Sequence, residues 1–259
     1  MSGEGKREKG QGKNLGVGAT NSEPMLANPF PFPLSPSPRF LGLVAYEPTW
    51  QAMKQFTAAR NADTRDEIWL LQHPPVYTQG LAGKPEHLLR ANDIPVIKID
   101  RGGQITYHGP GQIIAYLLLD LRRWKLNVRG LVRLMEQAVI DLLAQHGVVA
   151  QGREEAPGVY VADAKIASLG LKIRNGCCYH GIAFNVDMDL SPFANINPCG
   201  FAGLRVTDAR NVGIEASLDE LEQRFAQNLL TLLQRHLQEN PVTKNKPDTR
   251  KSCAGFTSE

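Results

Sequence analysis

Apolar and polar positions follow two periods along the chain, and the elements can be read from where one gives way to the other. Phe40–Ala45 reads as a strand. Pro48 then opens a helix with Trp50, Met53 and Phe56 on one face, the spacing of a 3.6-residue turn. Glu67–Gln72 reads as a strand around Ile68, Leu70 and Leu71, broken by Pro74-Pro75 before Val76-Tyr77-Thr78. Pro95–Ile99 is a short strand. A glycine-rich segment separates it from Gln112–Leu119, whose run of apolar residues marks a strand covered on both faces.

Arg129–Gln145 carries Leu131, Met135, Ala138, Val139 and Leu142 at helical spacing, and Gly147 suits its C-terminal cap. Ser217-x-x-Glu220 is a capping box ahead of a helix with Leu218, Leu221, Phe225, Leu229 and Leu232, which Pro241 stops. Strands fall in the middle with helices around them and no regular βαβ alternation. The expected fold is therefore α+β, a single domain with a mixed or antiparallel sheet flanked by helices.

Asn175-Gly176 between two apolar runs is a hairpin signal. Counting outward from it, Ile173 faces Cys178, Leu171 faces His180, Leu169 faces Ile182, Ala167 faces Phe184 and Lys165 faces Val186, all on one mostly apolar face. Lys165 and His180 stand out there. An inward lysine tends to lose its proton, whereas one at a strand end can snorkel to solvent. His180, taken alone, reads as a satisfied core histidine ahead of a catalytic one. On the opposite face Gly170 meets Gly181 and Ser168 meets Ala183, a flat patch open to a ligand chain or to close backbone packing.

Composition then narrows the class. The 259 residues are 42% hydrophobic and 21% charged, which is globular, and four cysteines are too few for a disulfide scaffold. The net charge of +3 lies in the ends. Residues 1–40 hold five basic and three acidic side chains, 241–259 hold four and two, and the body carries 20 against 21. A nucleic-acid-binding body is not expected. The longest apolar run, Ile113–Leu119, is far short of the roughly 20 residues of a membrane span, and no secretory h-region precedes it. A cytoplasmic protein without membrane attachment is expected. Residues 1–38, with six glycines and six prolines, read as a disordered leader, 39–240 as the domain and 241–259 as a polar tail. Met25 offers an alternative translation start.

Two segments carry candidate chemistry. Cys199 sits in Asn197-Pro198-Cys199-Gly200, a loop that can present a thiol. A nucleophilic thiolate needs a cation or base nearby, and Lys165 is the candidate, although a lone loop cysteine is also read as incidental. Arg101–Gly111 (RGGQITYHGPG) packs four glycines, an arginine and a histidine between two strands and offers backbone N–H groups to a carbonyl or phosphate. It matches neither nucleotide-binding glycine motif. No metal-ligand spacing is present: Cys177 and Cys178 are adjacent, and Cys253 lies in the tail.

RGGQITYHGPG, KIASLG at Lys165–Gly170, HGIAFN at His180–Asn185 and NPCG at Asn197–Gly200 together resemble the signatures of lipoyl(octanoyl) transferases. APGVY at Ala156–Tyr160 and HPPVYTQG at His73–Gly80 fit as well, so the resemblance spans residues 40–235. It implies the biotin/lipoate protein ligase type of catalytic domain. The reaction implied is octanoyl transfer from octanoyl-acyl carrier protein to a lysine of lipoyl domains, those of 2-oxoacid dehydrogenases and the glycine cleavage H protein. No cofactor and a monomer are implied. Cys199 would carry the acyl thioester and Lys165 would lower its pKa. Substrate-binding positions would be Arg101, Gly102, Gly103, Gln104, Ile105, Thr106, Tyr107 and His108, with Ser168, Leu169 and Gly170 and with Gly181, Ile182 and Ala183. Backbone N–H groups, those of Cys199 or Gly200 among them, would hold the oxyanion. An ATP-dependent ligase of the same fold, a non-enzymatic acyl-binding protein and a cysteine hydrolase are the alternatives.

Overall fold

The periodicities resolve into ten strands and three α-helices among the described residues, 35–90 and 92–240 of a computed structural model. Most of the leader, the tail after residue 240 and the Cys199 side chain lie outside them. In chain order the elements are β1 (Ser37–Leu43), α1 (Tyr46–Ala59), β2 (Glu67–Gln72), β3 (Val76–Gln79), β4 (Val96–Lys98), β5 (Ile105–His108), β6 (Gln112–Leu118), α2 (Val128–Gln145), β7 (Gln151–Gly152), β8 (Gly158–Val161), β9 (Ala164–Arg174), β10 (Cys177–Asn185) and α3 (Leu218–Glu239).

The larger sheet runs β1-β2-β6-β10-β9-β8-β7, with β1 parallel to β2 and every other pair antiparallel. A smaller sheet, β4-β3-β5, joins one parallel and one antiparallel pair. The fold is thus α+β with mixed sheets. Helices α2 and α3 cover one face of the large sheet, packing Met135, Val139, Phe225 and Leu229 on Ile113, Ala115, Ile182 and Phe184. Helix α1 covers part of the other face through Met53, against Trp69, Leu71, Ile114 and Tyr116. Cover on both sides explains why β6 is buried along its whole length and carries no polar alternation.

Several boundaries differ from the sequence reading for identifiable reasons. β1 starts at Ser37, inside the segment read as leader, because Pro38 costs little on an edge strand. Helix α1 starts at Tyr46, ahead of Pro48, since a proline in the first turn gives up no intrahelical bond. The glycine-rich segment contains a strand, β5, at Ile105–His108. The short strands β7 and β8 left no periodic signal.

The hairpin register holds from Cys178↔Ile173 to Phe184↔Ala167, with both turn residues at positive φ (49° and 80°) as a tight primed turn requires. Two details depart from the counted pattern. Lys165 does not face Val186. Residues 205–207 take that place, Lys165 N–H donating to Arg205 O (2.8 Å) and Thr207 N–H to Lys165 O (2.9 Å). His180 leaves the apolar face altogether: at φ 63° its ring turns towards Asp100 and Tyr116.

Candidate active site

One cavity of about 370 Å³ opens between the 101–106 segment and the β9–β10 hairpin. Its floor is the four small residues paired across the hairpin, Ser168, Gly170, Gly181 and Ala183. Both readings of that patch apply. Gly170 admits the backbone of Gly102, whose N–H donates to Leu171 O at 2.9 Å; a Cβ there would meet Arg101 Cδ at 2.8 Å and Gly102 O at 3.0 Å. At Gly181 a Cβ would collide with the Ala115 carbonyl of β6. What remains above the floor is open space.

Arg101, Gly102, Gly103, Gln104, Ile105, Thr106 and His108 line the cavity, as do Leu169 and Ile182. Tyr107 does not: it turns into the cluster of Tyr77, Phe193 and Ile196 beneath the smaller sheet. Exposure grades from Val128 (45%) and Phe201 (48%) at the mouth to the buried Tyr46, His108, Tyr116 and His180 at the inner end.

Buried hydrogen bonds fix that inner end. Arg101 donates to the Thr78 hydroxyl (2.9 Å) and carbonyl (2.7 Å), and Thr78 Oγ1 lies 3.2 Å from His108 Nε2. The far ring nitrogen, Nδ1, lies 2.7 Å from Gln112 Oε1, so it carries the proton and Nε2 accepts. Gln112 donates to Asn185 Oδ1 (2.9 Å), Asn185 donates to Thr207 O (3.0 Å), and Thr207 N–H reaches the Lys165 carbonyl. Every donor in this chain points from Arg101 towards Lys165. Burial, and then the neighbouring His73, push His108 down to about 3, consistent with a neutral ring. His73, pushed down by burial to about 4, bonds the Val44 carbonyl and the Tyr116 hydroxyl.

Lys165 is 1% exposed, beside the cavity wall. Its Nζ donates to Pro157 O (3.0 Å) and lies 5.3 Å from the Tyr160 ring centre. Pro157 itself lines the cavity. The snorkelling reading of Lys165 is therefore set aside. The backbone of the Pro198–Gly200 turn, which carries Cys199, sits at the rim: a Cβ on Gly200 would lie 3.4 Å from Gln104 Cγ, and the next residue, Phe201, is in the lining. Gly200 N–H is already donated to Asn197 O (3.0 Å), which removes it as an oxyanion donor.

Sequence reasoning missed Tyr46, Thr78, Asp100, Gln112, Tyr116, Glu136 and Phe201. Two of them left a signal: Thr78 lies in the HPPVYTQG segment, and Glu136 is a carboxylate one helical turn from Val132 and from Val139-Ile140. Among the described residues, no group of three or more His, Cys, Asp or Glu could hold a metal ion, and no helix is long and apolar enough to cross a membrane.

Residues 45–230 match the family described as the lipoyl protein ligase A/B catalytic domain. An octanoyltransferase of Nitrosomonas europaea is 68% identical over 193 residues, 74% of this chain and 95% of that protein. One of Chromobacterium violaceum is 59% identical over 205 residues, 79% and 97% of the two chains. The chain belongs to the octanoyltransferase family, the lipoyl(octanoyl) transferases.

Membership makes it an acyltransferase. The fold of this octanoyltransferase is also that of a putative lipoate protein ligase from T. acidophilum with bound lipoic acid (TM-score 0.63, 16% identity, 77% of this chain and 86% of that one). Lipoate-protein ligase A bound with ATP superposes similarly (TM-score 0.62, 16% identity, 77% and 86%). At such identity the likeness concerns architecture alone.

Proposed function

We propose that the enzyme carries octanoyl groups from octanoyl-acyl carrier protein to a lysine of lipoyl domains, those of 2-oxoacid dehydrogenases and the glycine cleavage H protein, through a thioester on Cys199. The observation that carries this reading is a convergence: the turn bearing Cys199 and the Pro157 carbonyl that receives Lys165 Nζ both border one cavity lined largely by apolar and small residues.

In the first half-reaction Lys165 takes the Cys199 proton and the thiolate attacks the carrier-bound thioester. The tetrahedral oxyanion is held by backbone N–H groups. It collapses as the carrier thiol leaves with the proton returned by Lys165. One thioester replaces another, so ATP is not consumed. In the second half-reaction the neutral amine of a lipoyl-domain lysine attacks the acyl-enzyme, an amide bond forms and the Cys199 thiolate leaves. The proton lost by the amine restores the dyad through Lys165. The acyl chain lies over the Ser168–Ala183 floor with Arg101–His108 as the opposing wall. The enzyme works as a cytoplasmic monomer without cofactor.

Intact-mass measurement after mixing with octanoyl-acyl carrier protein tests this. Wild type gains one octanoyl group and Cys199→Ala gains none. Full transfer by Cys199→Ala, or transfer that requires ATP, would overturn the proposal.

A further inference from the structure

Helix α2 presents a carboxylate to the same peptide group that Lys165 uses. Glu136 is buried to 9% exposure, and its Oε1 accepts the Gly158 N–H at 2.8 Å. The carbonyl of that same peptide unit is Pro157 O, which accepts Lys165 Nζ at 3.0 Å. Amine, peptide and carboxylate are thus aligned donor to acceptor. Gly158 is the residue that makes this approach feasible: at φ 153° it carries no Cβ, and one placed there would run into Lys165 Cε and lie 2.9 Å from Nζ. The peptide is held at both poles.

We infer that Glu136 is a positioning residue for Lys165, acting through the Pro157–Gly158 peptide. It fixes the direction in which the Pro157 carbonyl points, and a negative group on the N–H makes that carbonyl a stronger acceptor, since hydrogen bonds in series polarise one another. The arrangement holds the Lys165 amine in one direction for the proton it takes. Helix α2 also supplies Arg133, ion-paired with Glu154 at 2.6 Å, and β8 supplies Tyr160, on which Arg153 stacks at 4.2 Å. The 197–207 segment meets Lys165 through its backbone, and its Arg205 side chain turns to Asp163 at 3.6 Å. Burial raises the Glu136 pKa, while the Gly158 N–H, Lys165 and Arg133 draw it back down.

This inference rests on the Cys199–Lys165 reading, and the experiment separates the two. The rate of Cys199 alkylation by iodoacetamide is followed from pH 5 to 10, alongside kcat and KM with octanoyl-acyl carrier protein, for Glu136→Ala, Glu136→Gln, Lys165→Ala and the Glu136→Ala/Lys165→Ala pair. Glu136→Ala lowers kcat and the neutral-pH alkylation rate roughly tenfold with KM unchanged, the scale of a misplaced catalytic group. Its limiting alkylation rate at high pH stays at the wild-type value. Glu136→Gln keeps an oxygen acceptor for the Gly158 N–H and recovers part of the loss, which also guards against an alanine variant that does not fold. Because Glu136 acts through Lys165, the double variant is no slower than Lys165→Ala alone.

A folded Glu136→Ala enzyme with wild-type alkylation and kcat, or a double variant slower than Lys165→Ala, overturns the inference while leaving the dyad intact. Wild-type behaviour of Lys165→Ala overturns the dyad itself.

Discussion

His180 Nε2 lies 3.1 Å from Asp100 Oδ1, although the hairpin pattern assigns His180 to the opposite face of the sheet. Its positive φ, 63°, is the cost of that contact. Asp100 also accepts from Trp50 Nε1 (2.9 Å) and from the Tyr179 hydroxyl. Burial alone would raise the Asp100 pKa, but the hydrogen bonds from His180, Tyr179 and Trp50 outweigh it and hold the carboxyl far below the usual range. Burial in turn lowers the pKa of His180, so the contact is a neutral imidazole donating to a carboxylate.

Replacing Asp100 by Asn puts an amide that both donates and accepts where three donors converge. The variant should lose about 2 kcal/mol of stability, the penalty for leaving a buried donor without an acceptor. It should also bind acyl donor more weakly, because His180 lines the cavity. Urea unfolding and the KM for octanoyl-acyl carrier protein report the two effects. An unchanged midpoint would show that the aspartate does not hold the histidine.

Acid should weaken the fold through its buried histidines. His73 and His108 titrate near 4 and 3 in the folded protein, against about 6.5 in an unfolded chain. Between those values the unfolded state binds the proton and the folded state does not. Stability is therefore fully present above about pH 6.5 and declines as pH falls towards 4, by about 1.4 kcal/mol per pH unit for each ring. Urea titrations at pH 5 and pH 7 measure the loss, and His73→Gln should remove its own share of the slope. Equal stability of the wild-type enzyme at both pH values would contradict the assignment.

Ala183 offers a handle on chain length. It is 5% exposed and lies on the cavity floor opposite Ser168. Ala183→Leu fills space the acyl chain would occupy, and each displaced methylene forgoes about 0.8 kcal/mol of burial, about fourfold in kcat/KM. The ratio of octanoyl to hexanoyl transfer should fall accordingly. A ratio equal to that of wild type would place the acyl chain elsewhere.

What could be read from sequence was periodic or carried in a motif. Glu67–Gln72, the Asn175-Gly176 turn, the Ser217 cap and the helix before Gly147 are local matters of propensity and turn geometry, and each stands in the structure. The floor of the cavity was legible too, because alternation along two paired strands fixes which residues meet. The polar chain from Arg101 to Thr207 was not. Thr78, Gln112 and Asn185 are brought together by three different strands, and no spacing along the chain encodes a contact set by sheet order. His180 escaped for a different reason: a single positive φ reverses a side chain and is invisible to a pattern of period two. Lys165 lost its expected partner because residues 205–207, from a distant loop, compete for its backbone.

The two-residue turn at Asn175-Gly176 has a consequence for how this chain can change in length. Most surface loops absorb an inserted residue at little cost. One residue added to this turn would slide β9 against β10, replacing the Gly170–Gly181 and Ser168–Ala183 pairs by pairs that set leucine side chains against the open space. The tip of the hairpin, remote from the chemistry, therefore acts as the spacer that keeps the chamber hollow, and insertions or deletions there should be tolerated far less than in the connections elsewhere on the surface.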